Sequence, residues 1–433
     1  MNQKAKGAGG RVSNISPSPP PRSSPSSPSS PPIPTEAISA ASAKIRKHLA
    51  GFNRLLKLGV HGVPTSFKYL LIGSIETYSG KSATVLGLSD QLKQKGLDIA
   101  YGKPLGTCLH NADGTVVEED VQFITQNLKL SENHVAPTLL ALDELRVQKR
   151  LRGEDQSNYQ QSLIQHYLQV PRGDLMLLEG GGNLAEGNLF GLSLLQVAQV
   201  LDTAVLLVHR YESLLSVEAL LSAKKQIDDA CGRQRQRLIG VVINEVPTEQ
   251  LEAGNSLLRP FLEQQGIPVL AMLPKSDLLR SVSVEELVKQ LGAEVLCRSD
   301  RLDLLVESLA IGAMNVNAAV KYFRKRRNKA VVTGGDRVEI QQAALETSTQ
   351  CLILTGQLPP PAFILNRAEE LEIPILSVDL DTLTTVEIVH RTFGQVRVHE
   401  PLKVECIRQL MSEHFDINRL LSQLGLNPAA AVS

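Results

Sequence analysis

A lysine and a serine stand side by side where an apolar run ends and a helical pattern begins. The stretch "GSIETYSGKS" ends at Ser82 and directly follows the apolar residues "KYLLI". Backbone N–H groups of Ser79, Gly80 and their neighbours would point at the β- and γ-phosphates of a nucleotide, helped by the helix dipole. Lys81 would place its ammonium on those phosphates, and Ser82 would give its hydroxyl to Mg²⁺. The stretch therefore predicts a phosphate-binding loop for ATP and Mg²⁺.

The first glycine of this loop is displaced from its usual place. A P-loop has four residues between its first Gly and the Gly-Lys-Ser/Thr. Counting back from Gly80, that place holds Ile75, and the nearest glycine is Gly73. An ordinary strand-to-helix turn that contains Gly-Lys-Ser is the alternative. A loop that follows the first strand of a parallel sheet and opens a long helix favours nucleotide binding.

A glutamate ends a second buried run, "DLMLLEGGGN". Glu179 falls at the carboxyl end of the predicted strand, where ligands bind in open α/β sheets. The three glycines that follow allow the backbone to approach a ligand closely. Glu179 would hold Mg²⁺ together with Ser82, as a Walker B acid does. The alternative is a strand-end carboxylate in a glycine turn, and we favour the metal role.

Two further strand ends fit the same crevice. Lys103, in "GKPLGT", follows the second predicted strand and would neutralise a phosphate or a carboxylate. Asn244, in "GVVINEVP", ends a later strand, and its amide suits an adenine edge.

The elements that position these residues alternate between strands and helices. From residue 66, uninterrupted Val/Ile/Leu strands alternate with helical stretches, which predicts a parallel sheet covered on both faces. We assign residues 66–300 to this P-loop domain. Three strand–helix repeats predict a smaller α/β domain over residues 301–411, followed by a C-terminal helix and tail over residues 412–433.

The residues before 66 are of different composition. Residues 1–36 are rich in Pro and Ser with no acid before Glu36, and predict a disordered tail. An organelle transit peptide is the alternative, but the amphipathic pattern with repeated Arg is missing. Residues 37–65 predict a helical bridge to the first domain.

Composition excludes several classes of function. Lys+Arg and Asp+Glu both total 45, and this balance argues against a nucleic-acid partner. The run "KYFRKRRNK", residues 321–329, is more often a solvated helix face than a nucleic-acid site. Five scattered cysteines without a CxxC pair argue against disulfides or zinc, and no run is long enough to span a bilayer. We expect a cytoplasmic protein without a membrane partner.

A glycine turn in the second domain, "TGGDRVE", is a candidate second ligand site. Gly334 and Gly335 would free backbone amides at a helix start, beside Asp336 and Arg337. Asp336 and Glu339 also fit a capping box, so that a purely structural role is the alternative.

Taken together and in this order, "GSIETYSGKS", "GKP", "LLEGGG" and "VVINEVP" resemble the dethiobiotin synthetase family. Its relatives include cobyrinic acid a,c-diamide synthase and the N-terminal domain of long-form bacterial phosphate acetyltransferases. "VVTGGDR" and "VDLDTLTTVEI" resemble a DRTGG domain, which follows that N-terminal domain in the long acetyltransferases. The resemblance covers residues 66–411 and implies the roles given above for the loop, Lys103, Glu179 and Asn244.

The departures from these families shape the functional hypotheses. Where dethiobiotin synthetases carry Thr-Asp-Thr in the loop, this chain has Ile75, Glu76 and Thr77. Amidotransferase relatives hydrolyse glutamine with a nucleophilic cysteine. Cys351 lies in an apolar strand, as a core residue does, which argues against this activity. Only 22 residues follow Met411, and we therefore expect no acetyltransferase catalytic domain.

The first hypothesis is an ATP- and magnesium-binding regulatory protein, whose second domain takes a small-molecule effector or a protein partner. The alternative is an ATP-dependent ligase of the dethiobiotin or cobyrinate synthase type, acting on a small carboxylate or amine. A weak ATPase is open under either hypothesis, and a scaffold that has lost nucleotide binding is the third. Relatives of this fold pair across the nucleotide crevice, so a homo-oligomer is expected by analogy.

Overall fold

The computed structural model describes residues 66–426 apart from residues 108, 113–114, 169–171, 233–235 and 396–399. The predicted tail over residues 1–36 and the predicted helical bridge over residues 37–65 lie outside the described residues. The described residues all belong to one compact unit of the chain.

Seven parallel strands form the large sheet of the first domain, as the apolar runs predict. In chain order they are β1 (Tyr69–Ser74), β2 (Ile99–Gly102), β3 (Val135–Ala136), β4 (Leu175–Glu179), β5 (Ala204–Arg210), β6 (Leu238–Val246) and β7 (Val269–Pro274). Across the sheet their order is β7-β6-β5-β1-β4-β2-β3. β1 is therefore central, and β4 and β5 flank it.

The strands are apolar throughout because both faces of the sheet are covered. In β1, Leu71 belongs to one core cluster, while Leu70 and Ile72 belong to the other. Alternate side chains of β4 divide in the same way, with Leu178 on the first face and Leu177 on the second. Successive residues of a strand point to opposite faces, so burial on both sides requires an uninterrupted apolar run.

Seven helices accompany this sheet: α1 (Lys81–Gln94), α2 (Glu119–Leu128), α3 (Glu144–Leu151), α4 (Tyr159–Leu163), α5 (Leu194–Leu201), α6 (Ser216–Cys231) and α7 (Arg259–Gln264). Shorter strands and helical turns complete the domain: Leu105–Gly106 paired with Leu140–Ala141, Leu109–Ala112 paired with Thr115–Glu118, Glu132–His134, Ile164–Leu168, Asn188–Phe190, Thr248–Gln250, Leu251–Ala253, Gly254–Leu258 and Asp277–Arg280. α1 ends just before Gly96, which adopts a left-handed φ of 82°.

A second sheet of five strands forms the smaller domain. Its strands are β8 (Glu294–Cys297), β9 (Ser308–Ile311), β10 (Lys329–Gly334), β11 (Thr349–Thr355) and β12 (Ile375–Val378), in the order β8-β12-β11-β10-β9. Only β8 is antiparallel to its neighbour. The helices are α8 (Val284–Leu291), α9 (Val316–Phe323), α10 (Val338–Leu345), α11 (Ala362–Glu370) and α12 (Thr382–Thr392), with Val282–Ser283 paired to Leu305–Val306 and a turn at Ser299–Arg301. This sheet thus begins before residue 301, where the sequence places the domain boundary.

Two C-terminal helices, α13 (Pro401–His414) and α14 (Ile417–Leu424), return to the first domain. Ile407 and Met411 of α13 pack over Gly87 of α1, where any added Cβ would lie 2.4 Å from Met411. Both helices contribute to the core cluster on one face of the large sheet. The predicted end of the second domain at residue 411 therefore lies inside a helix that packs on the first domain.

Lys329, at the start of β10, is a buried lysine whose Nζ donates to the backbone carbonyl of Ser348 at 2.7 Å. Burial lowers the pKa of Lys329 from 10.5 to about 8. The folded pKa lies below the unfolded one, so the charged form destabilises the fold below pH 8. This cost disappears as the pH rises from about 8 to 10.5.

We expect Lys329→Met to raise the free energy of unfolding at pH 7 by roughly 1–3 kcal/mol. At pH 10 most of this difference between the variant and the wild type should have disappeared, because the wild-type lysine is then largely neutral in the folded state. Urea unfolding followed by circular dichroism at both pH values measures this. Lys321→Met, at an exposed position of α9, is the control. An equal effect of Lys329→Met at both pH values would contradict the role of charge burial.

Among the helices of the described residues, none combines the length and the apolar character that crossing a membrane requires.

Candidate functional site

The loop between β1 and α1 is held in shape by Gly80 and Asn244. Gly80 has a φ of 99°, in the left-handed region that favours glycine. A Cβ at this position would lie only 2.5 Å from Nδ2 of Asn244. The same Nδ2 donates to the backbone carbonyl of Ser79 at 2.9 Å. Asn244 therefore fixes the loop backbone in this structure, and its predicted contact with adenine stays a prediction.

Lys81 lies at the start of α1 and turns back towards β1. Its Nζ donates to Oγ of Ser74 at 2.9 Å. The Ser74 hydroxyl also lies within hydrogen-bonding distance of the backbone carbonyls of Glu76 and Gly182. Burial lowers the pKa of Lys81, and the carboxylate of Glu179 partly opposes that shift. The ammonium is thus held at the centre of the loop.

Ser82 and Glu179 are in direct contact, and their joint role in holding Mg²⁺ stays a prediction. Oγ of Ser82 donates to Oε1 of Glu179 at 2.8 Å, and the Tyr101 hydroxyl donates to Oε2 at 2.9 Å. Burial raises the pKa of Glu179, while the ammonium of Lys103 acts in the opposite direction. A hydroxyl and a carboxylate oxygen side by side form a donor set suited to a hard cation such as Mg²⁺.

Lys103 lies in the same region and is bound by two carboxylates. Its Nζ contacts Oε1 of Glu118 at 2.5 Å and also pairs with Asp120. Burial alone would lower the pKa of Lys103, but the carboxylates of Glu179, Asp120 and Glu118 raise it. These carboxylates therefore favour the charged form of Lys103.

These side chains line one cavity of about 350 Å³. Its walls comprise residues 77–83 and 179–182, with Lys103, Thr107, Asp120, Phe123, Glu186, Asn244, Glu245, Pro274, Ser276, Leu279, Arg280 and Gly394. Within the described residues, Oγ of Ser79 is buried and has no hydrogen-bond partner. The loop, Lys103, Glu179 and Asn244, predicted separately, are thus brought to one place.

Glu76, which stands where related loops have an aspartate, is bound away from this cavity. Its Oε1 accepts from the backbone N–H of Arg210 at 2.6 Å, and its Oε2 lies 3.1 Å from Nδ1 of His209. Burial alone would raise the pKa of Glu76, but the hydrogen bonds from His209 and Arg210 lower it. Glu76 thus fastens the loop to β5.

Among the cavity residues that were not predicted are Asp120, Arg280 and Gly394. Glu118, the partner of Lys103, was not predicted either. The acidic run "EED", residues 118–120 at the start of α2, was the available signal for Glu118 and Asp120, because a buried lysine is usually paired. No local pattern marks Arg280 or Gly394, which reach the cavity from the connections between the two domains.

The glycine turn of the second domain lies at the carboxyl end of β10. Gly335 donates its N–H to the carbonyl of Thr355 at 3.0 Å, and Gln341 donates to the carbonyl of Gly335 at 2.9 Å. The predicted capping box of Asp336 and Glu339 is wrong. The N-cap of α10 is Arg337, and no side chain caps the helix. Glu339 instead accepts a hydrogen bond from the side chain of Arg337.

The guanidinium of Arg337 also donates to the carbonyl of Met314 at 2.7 Å, which ties the turn to the segment before α9. A role of Gly334, Gly335, Asp336 and Arg337 in binding a ligand stays a prediction. Cys351 is fully buried in β11, as expected for a core residue.

Comparison with known proteins identifies both domains. The AAA domain profile matches residues 68–283, and the DRTGG domain profile matches residues 286–392. The phosphate acetyltransferase of Nitratidesulfovibrio vulgaris is 25% identical over 369 residues, which cover 82% of this chain and 51% of the relative. The phosphate acetyltransferase of Synechocystis sp. is 24% identical over 371 residues, with the same coverage of 82% and 51%. The chain thus spans about half the length of these curated relatives.

A crystal structure of the CBS and DRTGG domains of the regulatory region of Clostridium perfringens pyrophosphatase, complexed with its activator diadenosine tetraphosphate, is also similar. It is 20% identical, covers 40% of this chain and 85% of its own, and has a TM-score of 0.25, a likeness too low to support any inference about function. The two profiles together match residues 68–392, and the acetyltransferase matches cover 82% of the chain. The chain therefore contains an AAA-type P-loop domain and a DRTGG domain, and it resembles the N-terminal region of phosphate acetyltransferases.

Proposed function

We propose that this protein binds ATP with Mg²⁺ at the cavity of the first domain and acts as a regulatory protein. The observation that carries the proposal is the loop itself. Gly80 must be glycine, Lys81 is held at its centre, and the buried hydroxyl of Ser79 has no partner among the described residues. Buried polar atoms are rarely left without a hydrogen bond, so an unpartnered hydroxyl in the wall of a cavity supports the binding of a polar ligand there.

The residues present fit a nucleotide phosphate group with its metal. Lys81 and the N-terminus of α1 would hold the phosphates, since both attract negative charge. Ser82 and Glu179 would hold Mg²⁺, which would neutralise the phosphate charge when bound. Asn244 would keep the loop backbone in place, because its amide already holds the carbonyl of Ser79.

Regulation is favoured over ligation by two contacts. Glu76 stands in place of the loop aspartate but is bound to His209 and Arg210 outside the cavity. Lys103, the cation that would meet an acceptor substrate, is already paired with Glu118 and Asp120. The ligase hypothesis is therefore the second outcome of the test below.

Calorimetric titration with ATP and Mg²⁺ tests the proposal directly. We expect saturable binding by the wild-type protein and a loss of about 10- to 100-fold in affinity in Lys81→Ala, since a hydrogen bond to a charged group contributes roughly 1.5–3 kcal/mol. Lys95→Ala, at an exposed position just after the same helix, is the matched control and should bind as the wild type does. Phosphate release is measured on the same samples.

Each outcome has a distinct meaning. Binding that is lost in Lys81→Ala, with negligible phosphate release, supports the regulatory proposal. Sustained release that rises with an added small carboxylate or amine would replace it with the ligase hypothesis. Absence of binding in the wild type would overturn the proposal and leave the scaffold hypothesis.

A further inference from the structure

Both connections between the two domains pass along one wall of the nucleotide cavity. The outgoing connection follows β7 through the short helix Asp277–Arg280 and enters the second domain at Val282–Ser283. The returning connection starts at the end of α12, where Gly394 lies. Arg280 of the first connection and Gly394 of the second both line the cavity. This wall is therefore built by segments whose positions depend on the second domain.

Arg280 joins the two connections to the first domain. Its Nη1 donates to Oε2 of Glu245 at 2.8 Å, a partly buried ion pair. A Cβ on Gly394 would lie 3.1 Å from Nη2 of Arg280, so the backbone of Gly394 comes close against the guanidinium. A movement of the second domain that shifts Gly394 must therefore also disturb Arg280 or its ion pair.

Glu245 links Arg280 to the phosphate-binding loop through its neighbour Asn244. Its φ is 57°, an uncommon left-handed conformation for a residue other than glycine. The residue before it is Asn244, whose amide holds the carbonyl of Ser79. Such backbone conformations persist only where surrounding contacts hold them, and the ion pair with Arg280 is one such contact. Loss of the ion pair would therefore relax the backbone next to Asn244.

Helix α13 also contacts both the first domain, at α1, and the outgoing connection. Arg408 binds Asp90 of α1 at 2.6 Å, and α1 begins at the phosphate-binding loop. On the same helix, the buried Lys403 donates to the carbonyl of Ser281 in the outgoing connection at 2.8 Å. α1 and the connection are thus linked through one rigid element.

We propose that the Glu245–Arg280 ion pair couples nucleotide binding in the first domain to the arrangement of the DRTGG domain. The inference rests on the proposed function, because it takes a nucleotide as the ligand of the cavity. A ligand that packs against Arg280 and Gly394 binds best when the two connections are in the positions seen here. It therefore favours this arrangement over others, and by linkage the second domain alters nucleotide affinity in return.

Hydrogen exchange with and without saturating ATP and Mg²⁺ tests the coupling. In the wild type we expect exchange of Val282–Ser283 and Thr382–Thr392 to slow at least about fivefold on binding, the lower end of typical coupling. Arg280→Met and Glu245→Gln each break the ion pair with little change in side-chain size. In both, this slowing should be lost at ATP concentrations above the dissociation constant of that variant.

Arg301→Met is the matched control. Arg301 is also a half-buried arginine paired with a glutamate, Glu372, but it does not line the cavity. It should keep the wild-type response. Glu245→Gln keeps the test decisive where Arg280→Met fails to fold.

Three results would overturn the inference in distinguishable ways. Wild-type protein that does not bind ATP, measured by calorimetry on the same sample, removes the proposed function and the coupling with it. Binding without any change in Val282–Ser283 or Thr382–Thr392 removes the coupling and leaves the proposed function intact. A full response in both Glu245→Gln and Arg280→Met removes the ion pair as the coupling element.

Discussion

Lys103→Met is expected to lower the free energy of unfolding by about 3–5 kcal/mol, the cost of removing one partner from a buried ion pair. Only 2% of Lys103 is exposed, and its ammonium contacts both Glu118 and Asp120. Methionine fills a similar volume but leaves these carboxylates without their cation. A buried charge that has lost its partner costs far more than the intact pair contributes.

Urea unfolding at pH 7 followed by circular dichroism measures the deficit of Lys103→Met. Lys225→Met, at an exposed position of α6, is the control for loss of a lysine without burial. A deficit below about 1 kcal/mol at pH 7, the range of surface ion pairs, would show that Lys103 is solvated in solution.

Gly335→Ala is expected to destabilise the second domain by about 1–3 kcal/mol through overpacking. A Cβ at Gly335 would lie 2.3 Å from the backbone carbonyl oxygen of Leu358, which cannot rotate away as a side chain can. The glycine cannot shift easily either. Its N–H is bound to the carbonyl of Thr355 and its carbonyl to Gln341, so relief of the clash breaks one of these bonds.

Gly334→Ala is the matched control for this substitution. The atom nearest to its added Cβ would be Oδ1 of Asp336, at 2.4 Å, and a carboxylate at the end of a side chain can turn aside. Hydrogen exchange over Val338–Leu345, together with thermal unfolding, measures both variants. Equal effects of the two substitutions would contradict the argument from the fixed Leu358 backbone.

The large sheet and most of its strands could be predicted because their signal is local. An uninterrupted apolar run such as that of β4 indicates a strand buried on both faces, whatever its neighbours are. The assignment of α13 could not be predicted in this way. Its contacts with Gly87 and Asp90 join residues more than three hundred positions apart, and no local pattern records which surface a helix covers.

The same distinction applies to the candidate site. The closeness of Lys81, Ser82 and Glu179 could be predicted, because Glu179 ends β4 and the other two open the helix that follows β1. The carboxyl ends of parallel strands meet at one edge of the sheet. The pairing of Lys103 with Glu118 and the approach of Arg280 depend on how separate segments fold back. The capping box was predicted from local spacing alone, whereas in the structure Arg337 is the N-cap and its side chain contacts the distant Met314.

The return of α13 and α14 to the large sheet makes the DRTGG domain an insertion within the body of the P-loop domain. The backbone N–H of Phe67, before β1, donates to the carbonyl of Leu424, at the end of α14, at 2.9 Å. On the ribosome, the first domain therefore cannot complete its core until the second domain has been synthesised. A fragment cut at residue 283, where the AAA profile ends, would leave exposed the apolar surface that Ile407, Met411 and Leu421 cover.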